Sequence, residues 1–202
     1  MTDLKTDAEK AEEIKAWWKE NGKSVLTGVA VAIVGIFGWQ QWQSHTKTQA
    51  ETASALYSTT QTTYSAESLE SLKADHSSSP YASIAALSAA KHFAESGKEA
   101  EAITELQWAA DNAKEDTIQH IAKIRLTRLL IATAQLDKAA TLLSDEFPAT
   151  YNPLVEELKG DLALAKEDKS SAAEAYRRAI FQSGNMAPRY LQMKLDSLGN
   201  GV

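Results

Sequence analysis

The chain has 202 residues, of which 24% are charged and 44% hydrophobic, and it carries a net charge of −6. These are the proportions of a folded protein, and no Lys/Arg run is present to neutralise a row of phosphates, so no nucleic-acid partner is expected. Cysteine is absent, which excludes disulfides, thiolate metal sites, a Cys nucleophile and a lipidated Cys anchor.

Glycine and proline are sparse at 9 and 4 residues, whereas Ala, Leu, Glu, Lys and Ser dominate. That balance predicts an all-α protein. In residues 1–23, read as a cytosolic segment, Leu4, Ala8, Ala11, Ile14 and Trp18 recur at helical spacing and predict a short amphipathic helix.

Residues 24–46 hold no charge when His45 is neutral, and their apolar part, VLTGVAVAIVGIFGWQQW, fills 25–42. At ~1.5 Å per residue this stretch spans roughly 27 Å, the thickness of a bilayer's hydrocarbon core. Trp39 and Trp42 close its far end and Trp17 and Trp18 precede its near end, where indole rings suit the headgroup level. A core helix of a soluble protein would keep a polar face, and this segment has none. Lys15, Lys19 and Lys23 stand before it, whereas Lys47 is the only cation after it until Lys73. The positive-inside bias therefore predicts a cytosolic N-terminus and an extracytoplasmic remainder. The long acidic lead and an A-x-A site displaced to Ala53-Ser54-Ala55 favour an uncleaved signal anchor over a cleaved signal peptide. Gly28, Ala32 and Gly35 fall at i, i+4 and i+7, a stripe that suits a partner helix. It equally suits the ordinary abundance of small residues in membrane helices.

Residues 47–202 read as helices with short breaks, forming one extracytoplasmic domain. A membrane-proximal helix is expected over 47–64 and a short one over 66–75, ending in His76-Ser77-Ser78-Ser79. Pro80 supplies a first-turn proline for the next. Pairs follow at 80–95 with 98–112, 117–134 with 137–145, and 153–166 with 169–182, then a closing helix over 186–198.

The pairs repeat. Ala102, Ala139 and Ala172 open the second helix of each and lie 37 and 33 residues apart, bracketing the roughly 34-residue tetratricopeptide period. Four residues later come Leu106, Leu143 and Tyr176. Seven after the openers come Ala109 and Ala179, with Glu146 breaking the pattern in the middle unit. Twelve before them lie Ala90, Thr127 and Gly160, small residues where two helices must approach closely. The third unit, residues 158–180, matches a tetratricopeptide repeat best; a generic bundle of α-hairpins is the competing arrangement. One helix pair cannot bury its apolar face alone, so neighbouring pairs must stack into a continuous core.

Chemistry-bearing motifs are missing. His45, His76, His92 and His120 show no ligand spacing, and neither a nucleophile elbow nor a phosphate-cradling loop occurs. The pairs Glu12-Glu13 and Glu156-Glu157 diverge around their helices and read as solvated. No enzyme activity, cofactor or metal is expected. What remains is recognition by a groove lined by the first helix of each pair. Its candidate residues are Ile84, Leu87 and Lys91, then Ile121, Ile124, Arg125 and Arg128, then Leu154, Leu158 and Asp161. A mixed apolar and charged groove suits extended polypeptide, although Ile121 and Ile124 fit the core as well.

The chain as a whole resembles the ancillary subunits of the SecYEG translocon, of the YfgM type. The likeness is carried by EEIKAWWKENGKSVLTGVAVAIVGIFGWQQWQSH (residues 12–45), by the helical array from Tyr81 onward, and by the closing PRYLQMKLDSL (residues 188–198). It implies a single-pass protein of the bacterial inner membrane with a periplasmic tetratricopeptide domain. It also implies association with SecYEG and with a membrane-anchored periplasmic chaperone related to prolyl isomerases, and a role in passing unfolded, newly translocated polypeptides to periplasmic chaperones. A second reading of the same domain is a scaffold for envelope-complex assembly or stress signalling, and the sequence alone does not separate the two.

Overall fold

The computed structural model describes residues 7–62 and 64–199; Leu4 of the predicted amphipathic stretch lies outside them. Every regular element among the described residues is helical, as the composition predicts. The chain divides into two compact units between Glu51 and Thr52.

The first unit consists of most of α1, a helix running Asp7–Thr62. The expected amphipathic lead and the apolar segment are thus parts of one helix. It is the one described helix long and apolar enough to cross a membrane. Its large apolar side chains are exposed all round, from Leu26 and Val29 through Ile36 and Phe37 to Trp39 and Trp42. A soluble core helix would have buried them, so the exposure fits a membrane anchor. Gly28, Ala32 and Gly35 are exposed too, and a Cβ on either glycine would meet no atom within 4 Å.

The second unit begins with the last turns of α1 and continues through α2 (Ala66–Asp75), α3 (Pro80–Glu95), α4 (Glu99–Asn112), α5 (Asp116–Ala132), α6 (Leu136–Leu142), α7 (Asn152–Ala165), α8 (Lys169–Ser183) and α9 (Arg189–Asp196). The Ser65 hydroxyl accepts from the Ser68 N–H to cap α2, and Ser79 accepts from the Tyr81 N–H ahead of Pro80 to cap α3. Both helices therefore occupy their predicted bounds. α6 stops at Leu142, short of the expected 145, and α9 starts at Arg189 rather than 186. Proline explains the second shift: Pro188 holds the preceding Ala187 extended at ψ 119°, so the chain enters α9 only after it.

The array is visible in its backbone. Gly97, Ala134 and Glu167 all adopt positive φ, at 69°, 57° and 64°. Each is followed by an N–H that reaches back five residues: Lys98 to Phe93 O at 2.9 Å, Gln135 to Leu130 O at 2.8 Å and Asp168 to Ala163 O at 2.9 Å. This is the left-handed helix stop that satisfies late carbonyls. It recurs at the same 37- and 33-residue spacing as the aligned alanines, five residues before each of them.

Side chains keep the same register. Ala102, Ala139 and Ala172 are completely buried, as is Tyr176, and Leu106 and Leu143 nearly so. α3, α5 and α7 touch in succession and form the inner row, while α4, α6 and α8 pack against their own pair mates. One core joins α3 to α6 around Leu87, Leu106, Leu126 and Leu130. Another joins Ile124, Leu143, Val155 and Leu158. A third places Ala53 beside Leu69, Leu72 and Ala85. The fold is the tetratricopeptide-like array.

Candidate polypeptide-binding groove

Four of the predicted groove residues converge. Leu87 and Lys91 are one helical turn apart on α3, and Arg125 and Arg128 one turn apart on α5, so each pair occupies a single helix face. Together with Ala90, Ala94, Leu106, Leu129 and Ala132 they line a cavity of about 320 Å³. Its floor is apolar. Lys91, Arg125 and Arg128 are exposed around it. Lys91 faces Glu95 at 3.7 Å, a loose pair between two exposed side chains.

The other candidates lie elsewhere. Ile84, one turn before Leu87, is half-buried and outside the cavity lining. Ile124 and Leu158 are core, packed together with Leu143 and Val155. Ile121 packs on the neighbouring core and Leu154 on that of Leu158. Leu158 is completely buried and offers a ligand no surface.

Asp161 is occupied from within the chain. It accepts a hydrogen bond from the Tyr176 hydroxyl at 2.7 Å and pairs with Lys194 of α9 at 2.7 Å. The same ammonium pairs with Glu157 at 2.8 Å, and the Tyr190 hydroxyl donates to Glu157 at 2.8 Å. The last helix thus fastens onto the third unit, and Tyr190 also feels the charge of Arg128. Burial pushes the Tyr190 hydroxyl up to about 12, helped by its hydrogen bond to Glu157. Burial would lower Lys194, but the hydrogen bonds and charges of Asp161 and Glu157 outweigh it and raise the ammonium's pKa.

Glu156 and Glu157 correct the sequence reading. They diverge as adjacent helical residues must, yet both are buried rather than solvated. Glu156 bonds Lys159 at 2.7 Å and the Arg178 guanidinium at 2.5 Å. Burial works to raise its pKa, but these two cations outweigh it and hold the carboxyl below its usual range. A second buried pair escaped notice in the sequence: Lys73 of α2 bonds Glu105 of α4 at 3.0 Å and Glu70 at 3.1 Å, and lies 5.6 Å from the centre of the Trp108 ring. Partners 32 residues apart in sequence, as Lys73 and Glu105 are, leave no local signal.

Among the described residues, no group of three or more His, Asp or Glu side chains is placed to hold a metal. His92 stacks on Tyr64 at 4.6 Å between ring centres, and His120 lies against Phe147 and Tyr151. Their roles are packing ones.

A family model described as a tetratricopeptide repeat-like domain matches residues 15–200, nearly the whole chain. The chain belongs to that family. Proteins named ancillary SecYEG translocon subunit resemble it from end to end. One from Haemophilus influenzae is 28% identical over 95% of this chain and 97% of its own length. Another, from Aggregatibacter actinomycetemcomitans, is 29% identical over 92% and 94%. A third, from Escherichia coli K12, is 25% identical over 98% and 99%. The resemblance to this type of subunit, read from the anchor, the array and the closing segment, is therefore borne out. No solved structure matches the chain.

Proposed function

We propose that this protein is a non-catalytic accessory subunit of the SecYEG translocon. α1 anchors it in the bacterial inner membrane, the N-terminus lies in the cytoplasm and the helical array in the periplasm. In this reading residues 24–46 cross the bilayer and residues 47–202 form the domain outside. The observation that carries the proposal is the match, over almost the full length of both chains, to proteins named as ancillary subunits of that translocon.

Orientation rests on the three lysines before the apolar segment and the single one after it. The array binds polypeptide through the cavity bounded by Leu87, Lys91, Arg125 and Arg128, and passes translocated chains to a membrane-anchored, prolyl-isomerase-like chaperone. The stripe of Gly28, Ala32 and Gly35, exposed on α1, is then available to a neighbouring membrane helix.

Two measurements test this. An alkaline phosphatase fused after Val202 is expected to be active, since the enzyme works only outside the cytoplasm; an inactive but stable fusion overturns the topology. A photo-reactive residue at Arg128 is expected to crosslink a translocon component, the chaperone or a chain in transit. Crosslinks confined to an envelope-assembly or signalling complex, and unaffected by blocking secretion, would instead establish the scaffold reading.

A further inference from the structure

We propose that the cavity between α3 and α5 selects polypeptide segments in which one large apolar side chain is flanked by carboxylates, and discriminates against segments flanked by lysines. The inference rests on the reading of this domain as a polypeptide-binding accessory subunit, and specifies its ligand.

Charge is the first argument. The chain carries −6 overall, yet three cations gather at the mouth of one apolar cavity. Among the described residues, no carboxylate forms an ion pair with Arg125 or Arg128, and Lys91 has only its loose helical neighbour Glu95. Elsewhere on the array, buried and half-buried carboxylates are neutralised by cations that reach them from the surface. Lys194 answers Glu157 and Asp161, while Lys159 and Arg178 answer Glu156. The inner row therefore presents a local positive mouth that, among the described residues, only the loose Lys91–Glu95 pair offsets in part. Complementary charge across such a surface fixes specificity and register more than raw affinity.

Shape is the second argument. A volume of about 320 Å³ is at the bottom of the range for ligand sites, roughly 300–1,000 Å³. With Leu87, Ala90, Leu106 and Leu129 around it, the cavity suits one leucine- or phenylalanine-sized anchor. Arg125 and Arg128 stand one turn apart, with Cβ atoms at a typical ~5–6 Å. On an extended chain successive side chains alternate faces, so the carboxylates that share the anchor's face stand two residues before and two after it, with Lys91 on α3 and the arginines on α5 bounding the cavity to receive them. A free anion has no buried donor here to hold it, because all three cations are exposed. A nucleic acid would need a longer row of cations and aromatic platforms.

The test uses the full chain in mild detergent and four fluorescein-labelled twelve-residue peptides. One has a central Leu with Glu two positions before and two positions after it. In two others the Glu residues become Gln or Lys, and in the fourth Glu is kept and Leu becomes Ser. Binding is read by fluorescence anisotropy at about 50 and about 300 mM salt, on either side of the physiological screening regime. The Leu/Glu peptide is expected to bind at least ~10-fold tighter than the Leu/Lys peptide at low salt, with the gap narrowing at high salt. The Leu→Ser peptide is expected to bind weakly. The double variant Arg125→Glu with Arg128→Glu should invert the order while leaving the helical circular dichroism unchanged, because both side chains are exposed. Equal affinities for the Glu and Lys peptides overturn the proposal. So does a preference that survives the charge reversal, or binding of the Ser peptide as tight as that of its Leu parent. Co-purification of the translocon with the same preparation is scored separately. Its loss with charge selection intact sinks the translocon assignment alone, and its retention without charge selection sinks the ligand assignment alone.

Discussion

Gly160 on α7 lies against the ring of Tyr176 on α8 so closely that a Cβ added to it would sit 2.5 Å from Cδ1 and nearer still to Cε1. Tyr176 is completely buried and its hydroxyl is held by Asp161, so the ring cannot swing aside. Gly160→Ala is therefore expected to destabilise the array by about 1–3 kcal/mol, the usual range for overpacking. In a Tyr176→Leu background the same change should cost clearly less, because the atoms it strikes are gone. Urea titrations of the four proteins form a double-mutant cycle, and strict additivity would contradict the contact.

The left-handed turns offer the opposite sign. Ala134 and Glu167 sit at positive φ where the equivalent position of the first unit is Gly97. A side chain there costs roughly 1–2 kcal/mol, part of which returns when glycine loosens the unfolded chain by ~0.4–1 kcal/mol. Glu167→Gly and Ala134→Gly are each expected to stabilise by about 0.5–1 kcal/mol, raising the melting temperature by roughly 2–3 °C. Gly97→Ala should lower it. Thermal melts followed at 222 nm decide the sign.

The docking of α9 should fail in alkali. Tyr190 is pushed up to about 12, Tyr176 is raised by burial and by Asp161, and Lys194 is raised by its carboxylate partners. All three hold their protons more tightly folded than unfolded. The stability they supply is complete below their unfolded values near ~10 and is lost as pH rises beyond them. Proteolysis within residues 186–198 should accelerate between about pH 10 and 12, while Tyr190→Phe should reduce the slope of stability against pH in that window. At pH 7, Lys194→Met leaves Glu157 buried without its cation. A loss of about 2 kcal/mol is expected, below the range for fully buried pairs because Lys194 is partly exposed.

Lys73 and Glu105 carry a conflict. Burial, the largest influence on Glu105, raises its carboxyl despite Lys73, whereas Lys73 is itself raised because its two carboxylates outweigh its own burial. The cost falls on Glu105, which is the more buried and whose Oε2 has no hydrogen-bond partner. Lys73→Met should destabilise by about 3 kcal/mol at pH 7, whereas Lys73→Met with Glu105→Leu should come close to wild type. Because a raised carboxyl favours the folded state below its unfolded value near ~4.5 and loses that advantage as pH rises, the Lys73→Met deficit should shrink from pH 7 towards pH 5. A deficit that does not change with pH would show that Glu105 is not the residue left stranded.

Local chemistry made much of this legible in the sequence. The loop His76-Ser77-Ser78-Ser79 and Pro80 marked where α2 ends and α3 begins, and small residues at fixed spacing revealed the stacked pairs. What escaped is what depends on distant partners. Lys194 meets Glu157 across 37 residues and Arg178 meets Glu156 across 22; hydropathy does not register such encounters, and so two buried glutamates read as solvated. Of the groove candidates, four line one cavity. Leu87, Lys91, Arg125 and Arg128 were named from their place on the first helix of each pair, but that placement did not show that Leu158 turns into the core or that α9 claims Asp161.

The recurrence of one backbone turn, rather than one residue, has a consequence for how such chains diverge. Glycine, alanine and glutamate fill the same position with the same hydrogen bond. Each unit therefore asks for little: a left-handed stop, a buried alanine five residues on, and a small residue where the helices cross. The three units of this chain can thus differ at the turn itself and still stop, pack and cross alike.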